Sequence, residues 1–117
     1  MKNTLSIKKK GTFKYLINKG KYLASKHIVV YYILNNRKIN NFGICVSKKN
    51  GISVHRNKMK RWTREVYKEV EDSFKMNITL VIMFKKSTKL DDLDYYILKD
   101  EITSSLYKLG IIDEKNN

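Results

Sequence analysis

Residues 42–84 read FGICVSKKNGISVHRNKMKRWTREVYKEVEDSFKMNITLVIMF, and three patterns inside this run decide the fold. Residues 42–46 are apolar and β-favouring, and a loop with Lys48, Lys49 and Gly51 follows. Met59, Trp62, Val66, Val70 and Phe74 then recur at spacings of 3, 4, 4 and 4. That is one apolar stripe of a helix over about 54–74. Residues 77–84 (NITLVIMF) form a nearly continuous apolar run and read as a strand covered on both faces. Strand, helix and strand in succession, with one apolar helix face, describe a helix laid on a sheet.

Working outward, residues 28–34 (IVVYYIL) are a further apolar, β-favouring run and read as another doubly covered strand. The Asn-rich segment between it and Phe42 is turn chemistry, which predicts an antiparallel hairpin of the two strands. Upstream, Phe13, Leu16 and Ile17 stand at i, i+3 and i+4 with Gly20 as the stop, giving a helix over about 10–18. A short strand is expected near 21–24. Downstream, a last helix covers about 91–109, with acidic residues in its first turn and Gly110 at its end. The expected fold is α+β: a two-layer sandwich of three helices on a mixed sheet of about four strands, in the order α-β-β-β-α-β-α. It forms one domain over 1–117. Residues 1–8 read as a flexible basic arm and 112–117 as a flexible tail.

No Asp or Glu precedes Glu65, while residues 1–64 hold 17 of the 25 Lys and Arg. Residues 65–117 hold 8 basic and 11 acidic side chains. A surface cationic over half its length repels itself until a polyanion neutralises it, and nucleic acid is the polyanion this implies. A compositional bias toward Lys gives no reason for one half to lack carboxylates. Nor does it explain the arginines: of four, Arg56, Arg61 and Arg64 fall within nine residues. A planar guanidinium kept in a Lys-rich chain points to phosphate or base recognition.

On the central helix, Asn57, Arg61, Arg64 and Lys68 fall roughly 140–200° from the apolar stripe, with Lys58 and Lys60 at its edges. One face docks on the sheet and the other is a cationic ridge. Basic residues fill the first turns, and Glu65, Glu69, Glu71 and Asp72 fill the last. A helix by itself prefers the reverse order, by roughly 0.3–1 kcal/mol per charge. An anion such as a phosphodiester backbone removes that penalty.

No apolar run is long enough to span a bilayer, and no signal-peptide core follows Met1. Cys45 is the lone cysteine, which excludes an internal disulfide and a cysteine-built zinc site. A cytoplasmic location is expected, with no membrane or protein partner evident. Phosphodiester hydrolysis by protein groups usually needs carboxylates holding Mg²⁺ or a His acid–base pair. The basic half has no carboxylate, and His27 and His55 sit at a strand start and a helix start. No catalytic or metal-binding residue is assigned to this chain. Met59, Trp62 and Cys45 are expected to pack in the core. Phe13 and Tyr31 fit a core and a base-stacking platform equally well.

The run Ser47-Lys48-Lys49, followed by Arg56-Asn57-Lys58-Met59-Lys60-Arg61-Trp62-Thr63-Arg64-Glu65, resembles the signature of the bacterial ribonuclease P protein subunit. That signature is an SKK segment and then Arg-Asn-Arg-x-Lys-Arg-x-x-Arg-Glu. The chain departs from it at Lys58, where charge survives but bidentate geometry does not. The resemblance covers nearly the whole chain. It implies a protein cofactor of a ribozyme that cuts the 5′ leader from precursor tRNA. The ribonuclease P RNA would carry the catalysis and hold most of the divalent metal, Mg²⁺. The resemblance further implies that Lys48, Lys49, Arg56, Asn57, Lys58, Lys60, Arg61 and Arg64, with Lys68 on the same ridge, meet the catalytic RNA. Phe13, Ile17 and Tyr31 would line a leader cleft between the first helix and the sheet, Ile17 standing where the family often has an aromatic. A left-handed strand–helix–strand crossover is implied too, against the usual hand. Another small basic RNA-binding module, such as a ribosomal protein, would share the electrostatics without the signature. A nuclease acting alone would need carboxylates that the basic half lacks.

Overall fold

The most apolar strand takes the centre of the sheet. In the computed structural model, which describes residues 3–113, the elements are β1 (Thr4–Ser6), α1 (Lys10–Lys19), β2 (Lys21–Ala24), β3 (Ile28–Leu34), β4 (Asn40–Cys45), α2 (Ser53–Val70), β5 (Ile78–Phe84) and α3 (Tyr95–Lys108). The strands run in the order β1-β4-β5-β3-β2. β5 pairs parallel with β4 and antiparallel with β3, and all but one of its residues are buried. Alternation splits the sheet into two faces. Ile28, Val30, Phe42, Leu80 and Ile82 pack against Met59, Val66 and Tyr67 of α2 and Leu98, Ile102 and Leu106 of α3. Each such buried side chain contributes about 1.5–3 kcal/mol. α1 lies on the other face, with Leu16 as its buried residue.

The βαβ unit has the unusual hand. Phe42 turns its ring toward α2, where it stacks on Tyr67 with centroids 4.0 Å apart. Its carbonyl accepts from the Ile7 amide at 2.9 Å, so its peptide group faces the β1 edge. For an L-residue in a strand running upward with its side chain toward the viewer, that carbonyl points right. Seen from α2, β1 is therefore right of β4, and β5 is left of it. The passage β4–α2–β5 is a left-handed crossover, opposite to the common one.

Several expectations need correction. The sheet has five strands rather than about four, because Thr4–Ser6, within the expected basic arm, pairs parallel with Asn40–Phe42. Thr4 anchors this strand: its hydroxyl lies 2.8 Å from the Tyr67 hydroxyl and donates to Glu71 Oε2 at 2.6 Å. A three-residue strand has no readable period. β3 and β4 are not a hairpin, since β5 inserts between them; the longer apolar strand takes the doubly covered position. α2 stops at Val70 and tightens into a 3₁₀ turn over Glu71–Ser73. α3 begins only at Tyr95, where Asp94 accepts from the Ile97 amide at 2.8 Å; Asp91 and Asp92 belong to a separate 3₁₀ turn. Ile112, placed in the expected tail, is buried. Of the arm and tail, residues 1–2 and 114–117 lie outside the described residues.

Candidate nucleic-acid interface

The loop before α2 turns at Gly51, whose φ of 135° favours glycine. Just before it, Lys48–Asn50 forms a 3₁₀ turn in which the Ser47 amide donates to Asn50 Oδ1 at 2.9 Å. Buried Asn50 donates its Nδ2 to the carbonyls of Lys85 (2.8 Å) and Thr88 (2.9 Å), and Lys89 Nζ reaches the Lys49 carbonyl. The Thr88 hydroxyl donates to the His27 carbonyl at 3.1 Å. Glu101 of α3 holds His27 in turn: it accepts from the His27 amide at 2.6 Å, lies 2.8 Å from Nδ1 and accepts from the Ser25 hydroxyl. Burial by itself would raise the Glu101 pKa. The Ser25 and His27 contacts outweigh it and hold the carboxyl below its ordinary 4.5. This chain of bonds braces the turn that leaves Lys48 and Lys49 exposed.

The ridge of α2 is not uniform. Asn57, Lys58, Arg61, Arg64 and Lys68 are exposed, while Arg56 and Lys60 are half-buried. Arg56 folds back on the helix start, donating from Nε to the Gly51 carbonyl (3.2 Å) and from Nη2 to the Ser53 hydroxyl (3.0 Å). Lys58 Nζ lies 5.2 Å from the centre of the Trp62 ring, a cation–π contact. Lys68 pairs with Glu65 at 3.3 Å. Among the described residues, no ion pair within 4 Å involves Arg61 or Arg64. The helix is also rolled relative to the expected stripe. Thr63 and Tyr67 are buried, whereas Trp62 is half-buried at the flank, because the left-handed crossover puts Phe42 under Tyr67.

This roll turns Lys60 and Arg64 toward β1 and α1. Together with Phe13, Ile7 and Gly43 they line one cavity of about 140 Å³. It opens beside the part of β4 that β1 leaves uncovered. Phe13 is half-buried, Ile17 is 38% exposed and Tyr31 is half-buried. Tyr31, Val81 and Gly43 are in register across β3, β5 and β4, with the Phe13 ring over Gly43. Phe13 and Tyr31 thus stand on one row of the sheet, two strand spacings or about 10 Å apart. The structure brings Phe13 to the cationic ridge, and Tyr31 to the far end of that row.

A sequence profile of the family described as Ribonuclease P matches residues 1–110. This chain belongs to the ribonuclease P protein family. It is 34% identical over 109 residues to the ribonuclease P protein component of Caldanaerobacter subterraneus subsp. tengcongensis, covering 93% of this chain and 92% of that one. A ribonuclease P protein component from Clostridium botulinum is 35% identical over 106 residues, covering 90% and 94%. The solved RNase P protein of Staphylococcus aureus superposes with a TM-score of 0.79 at 28% identity, over 92% of this chain and 97% of that one. That of Thermotoga maritima superposes at 0.74 and 26%, over 82% and 89%.

Two residues near these sites carried no signal in the sequence. Tyr22 on edge strand β2 pairs with Tyr31, rings 5.9 Å apart and tilted by 35°, and is 64% exposed. Burial first, then Tyr22 and Cys45, push the Tyr31 phenol up; burial does the same to the Cys45 thiol. Lys86 joins Lys60, Ser47, Cys45 and Met83 around a cavity of about 260 Å³. Register alone reveals Tyr22, and the loop after β5 reveals Lys86. Among the described residues no three His, Cys, Asp or Glu side chains come together. No helix of the described residues is long and apolar enough to cross a membrane.

Proposed function

We propose that this chain is the RNA-binding protein subunit of ribonuclease P, gripping the catalytic RNA with α2 and the 5′ leader of precursor tRNA with the sheet face beside α1. The observation that carries this reading is the cavity shared by Phe13 and Gly43 with Lys60 and Arg64. It sets a ring that can stack on an unpaired base against two cations that suit a phosphate. Lys48 and Lys49 on the braced turn, and Asn57, Lys58, Arg61 and Lys68 on the ridge, extend the phosphate-binding surface. Arg56 shapes the start of α2 and keeps its remaining N–H donors for RNA. Phe13, Ile17 and Tyr31 receive the leader, with Tyr22 continuing the row.

Hydrolysis belongs to the RNA, which holds the divalent metal, and the protein contributes position and charge neutralisation in the cytoplasm, where the precursor is met. Reconstitution tests this: precursor tRNA is incubated in Mg²⁺ with the protein alone, with the cognate catalytic RNA alone and with both. Faster leader removal by the pair than by the RNA, and none by the protein, is expected. Cleavage by the protein alone sinks the reading.

A further inference from the structure

α1 divides its face of the sheet into two troughs. Leu16, the buried residue of α1, faces the sheet, and Gly20 at the end of the helix lies against both Leu16 and the Tyr32 carbonyl of β3. By helical geometry Phe13 and Ile17 then lie on one flank, and Thr12 and Tyr15 on the other. The proposed leader site occupies the first flank. The second trough has its own floor: Ile33, Thr79 and Asn41, in register across β3, β5 and β4. β1 and α1 wall it, the β3–β4 turn closes one end, and it encloses about 480 Å³. That lies within the range of small-molecule sites, roughly 300–1,000 Å³.

Lys8, Lys9 and Arg37 line this trough, and among the described residues no Asp or Glu does. Arg37 sits on a braced turn: its amide donates to Asn35 Oδ1 at 3.0 Å, and its carbonyl accepts from Asn77 Nδ2 at 2.8 Å. The backbone is held while the guanidinium stays exposed. Tyr15, 55% exposed, stands at the rim. Three cations, a ring and a polar floor around one concavity match a phosphate with its adjoining base.

We infer that this trough is a second nucleotide site, separated from the leader groove by α1. Arg37 and the Lys8–Lys9 pair take a phosphate, Tyr15 takes the base, and Asn41 and Thr79 offer hydrogen bonds from the floor. The site requires neither the α2 ridge nor a catalytic RNA. Its failure is therefore distinguishable from failure of the proposed function.

NMR titration of the whole protein with adenosine 5′-monophosphate tests it. Shifts at Ile33, Asn41 and Thr79 are expected, with several-fold weaker binding in Tyr15→Ala and in Arg37→Gln and unchanged binding there in Arg61→Ala. Both cavity variants change exposed side chains, and circular dichroism checks that they fold. Adenosine alone and inorganic phosphate alone should each bind about tenfold more weakly, since each keeps only half of the recognised groups. Shifts confined to α2 and to Val29, Met83 and Cys45, the row in register across β3, β5 and β4 beyond Tyr31 and Gly43, or wild-type affinity in both cavity variants, overturn the site. Phosphate binding as tightly as the nucleotide overturns it too, leaving only an anion patch.

Discussion

The ring of Phe13 lies over Gly43 so closely that a Cβ at position 43 would sit 2.6 Å from its Cζ atom. Gly43 is therefore what lets the ring rest on β4 beside Lys60 and Arg64. The colliding atoms are the far end of a side chain, so Gly43→Ala should displace the ring rather than unfold the sheet. We expect Gly43→Ala and Phe13→Ala to weaken leader binding alike, by about five- to a hundred-fold if one base–ring stack is lost. Urea unfolding should show a loss within about 1–3 kcal/mol for Gly43→Ala. Unfolding of Phe13→Ala with unchanged affinity per folded molecule would instead make Phe13 a core residue.

The arginines of α2 separate by their existing bonds. Arg61→Ala and Arg64→Ala should each flatten the log–log salt dependence of binding to the catalytic RNA, by roughly 0.7–0.9 for every phosphate no longer neutralised. Arg56→Ala should also cost about 1 kcal/mol of stability, because Gly51 and Ser53 lose their partner. Filter binding from low to high salt, with thermal unfolding in parallel, distinguishes the two behaviours. Equal salt slopes for all variants and wild type would remove the ridge from the interface.

Tyr22 is exposed beside Tyr31, so its removal touches no core. Tyr22→Ala should leave the melting temperature unchanged and weaken leader binding by about 1 kcal/mol or more, while Tyr22→Phe retains it. Fluorescence titration with a short leader oligonucleotide reads this directly. An unchanged affinity in the alanine variant would end the stacking row at Tyr31.

The Glu101–His27–Ser25 cluster gives a pH signature. Its carboxyl is depressed in the folded state, so its contribution is complete above the ordinary value of 4.5 and is lost as pH falls through the folded value. Wild-type stability in urea should fall on acidification below about pH 4.5. Glu101→Gln should be less stable near neutrality, by about 1–3 kcal/mol for the broken part-buried bonds, and should lack this component of the acid response. Parallel curves for the two proteins across this range would exclude the cluster as its source.

Much of this protein was legible in its residues because the signals are local. The periods of α2 and β5, the acid-free first half and the arginine spacing each depend on neighbours within a few turns. Those determined the α+β class, the ridge and the family likeness. Tertiary structure alone decided which strands became neighbours. β5 displaced the expected β3–β4 hairpin because pairing is settled by burial across the sheet, which no turn segment encodes. It also decided that Thr4–Ser6 joins the sheet, because a hydroxyl on Glu71 and Tyr67 comes from residues far along the chain. The left-handed crossover then rolled α2 to bury Tyr67 and aim Lys60 and Arg64 at Phe13. The sequence names the charges and the rings. Their meeting in one groove depends on register and hand, which exist only once distant segments have packed.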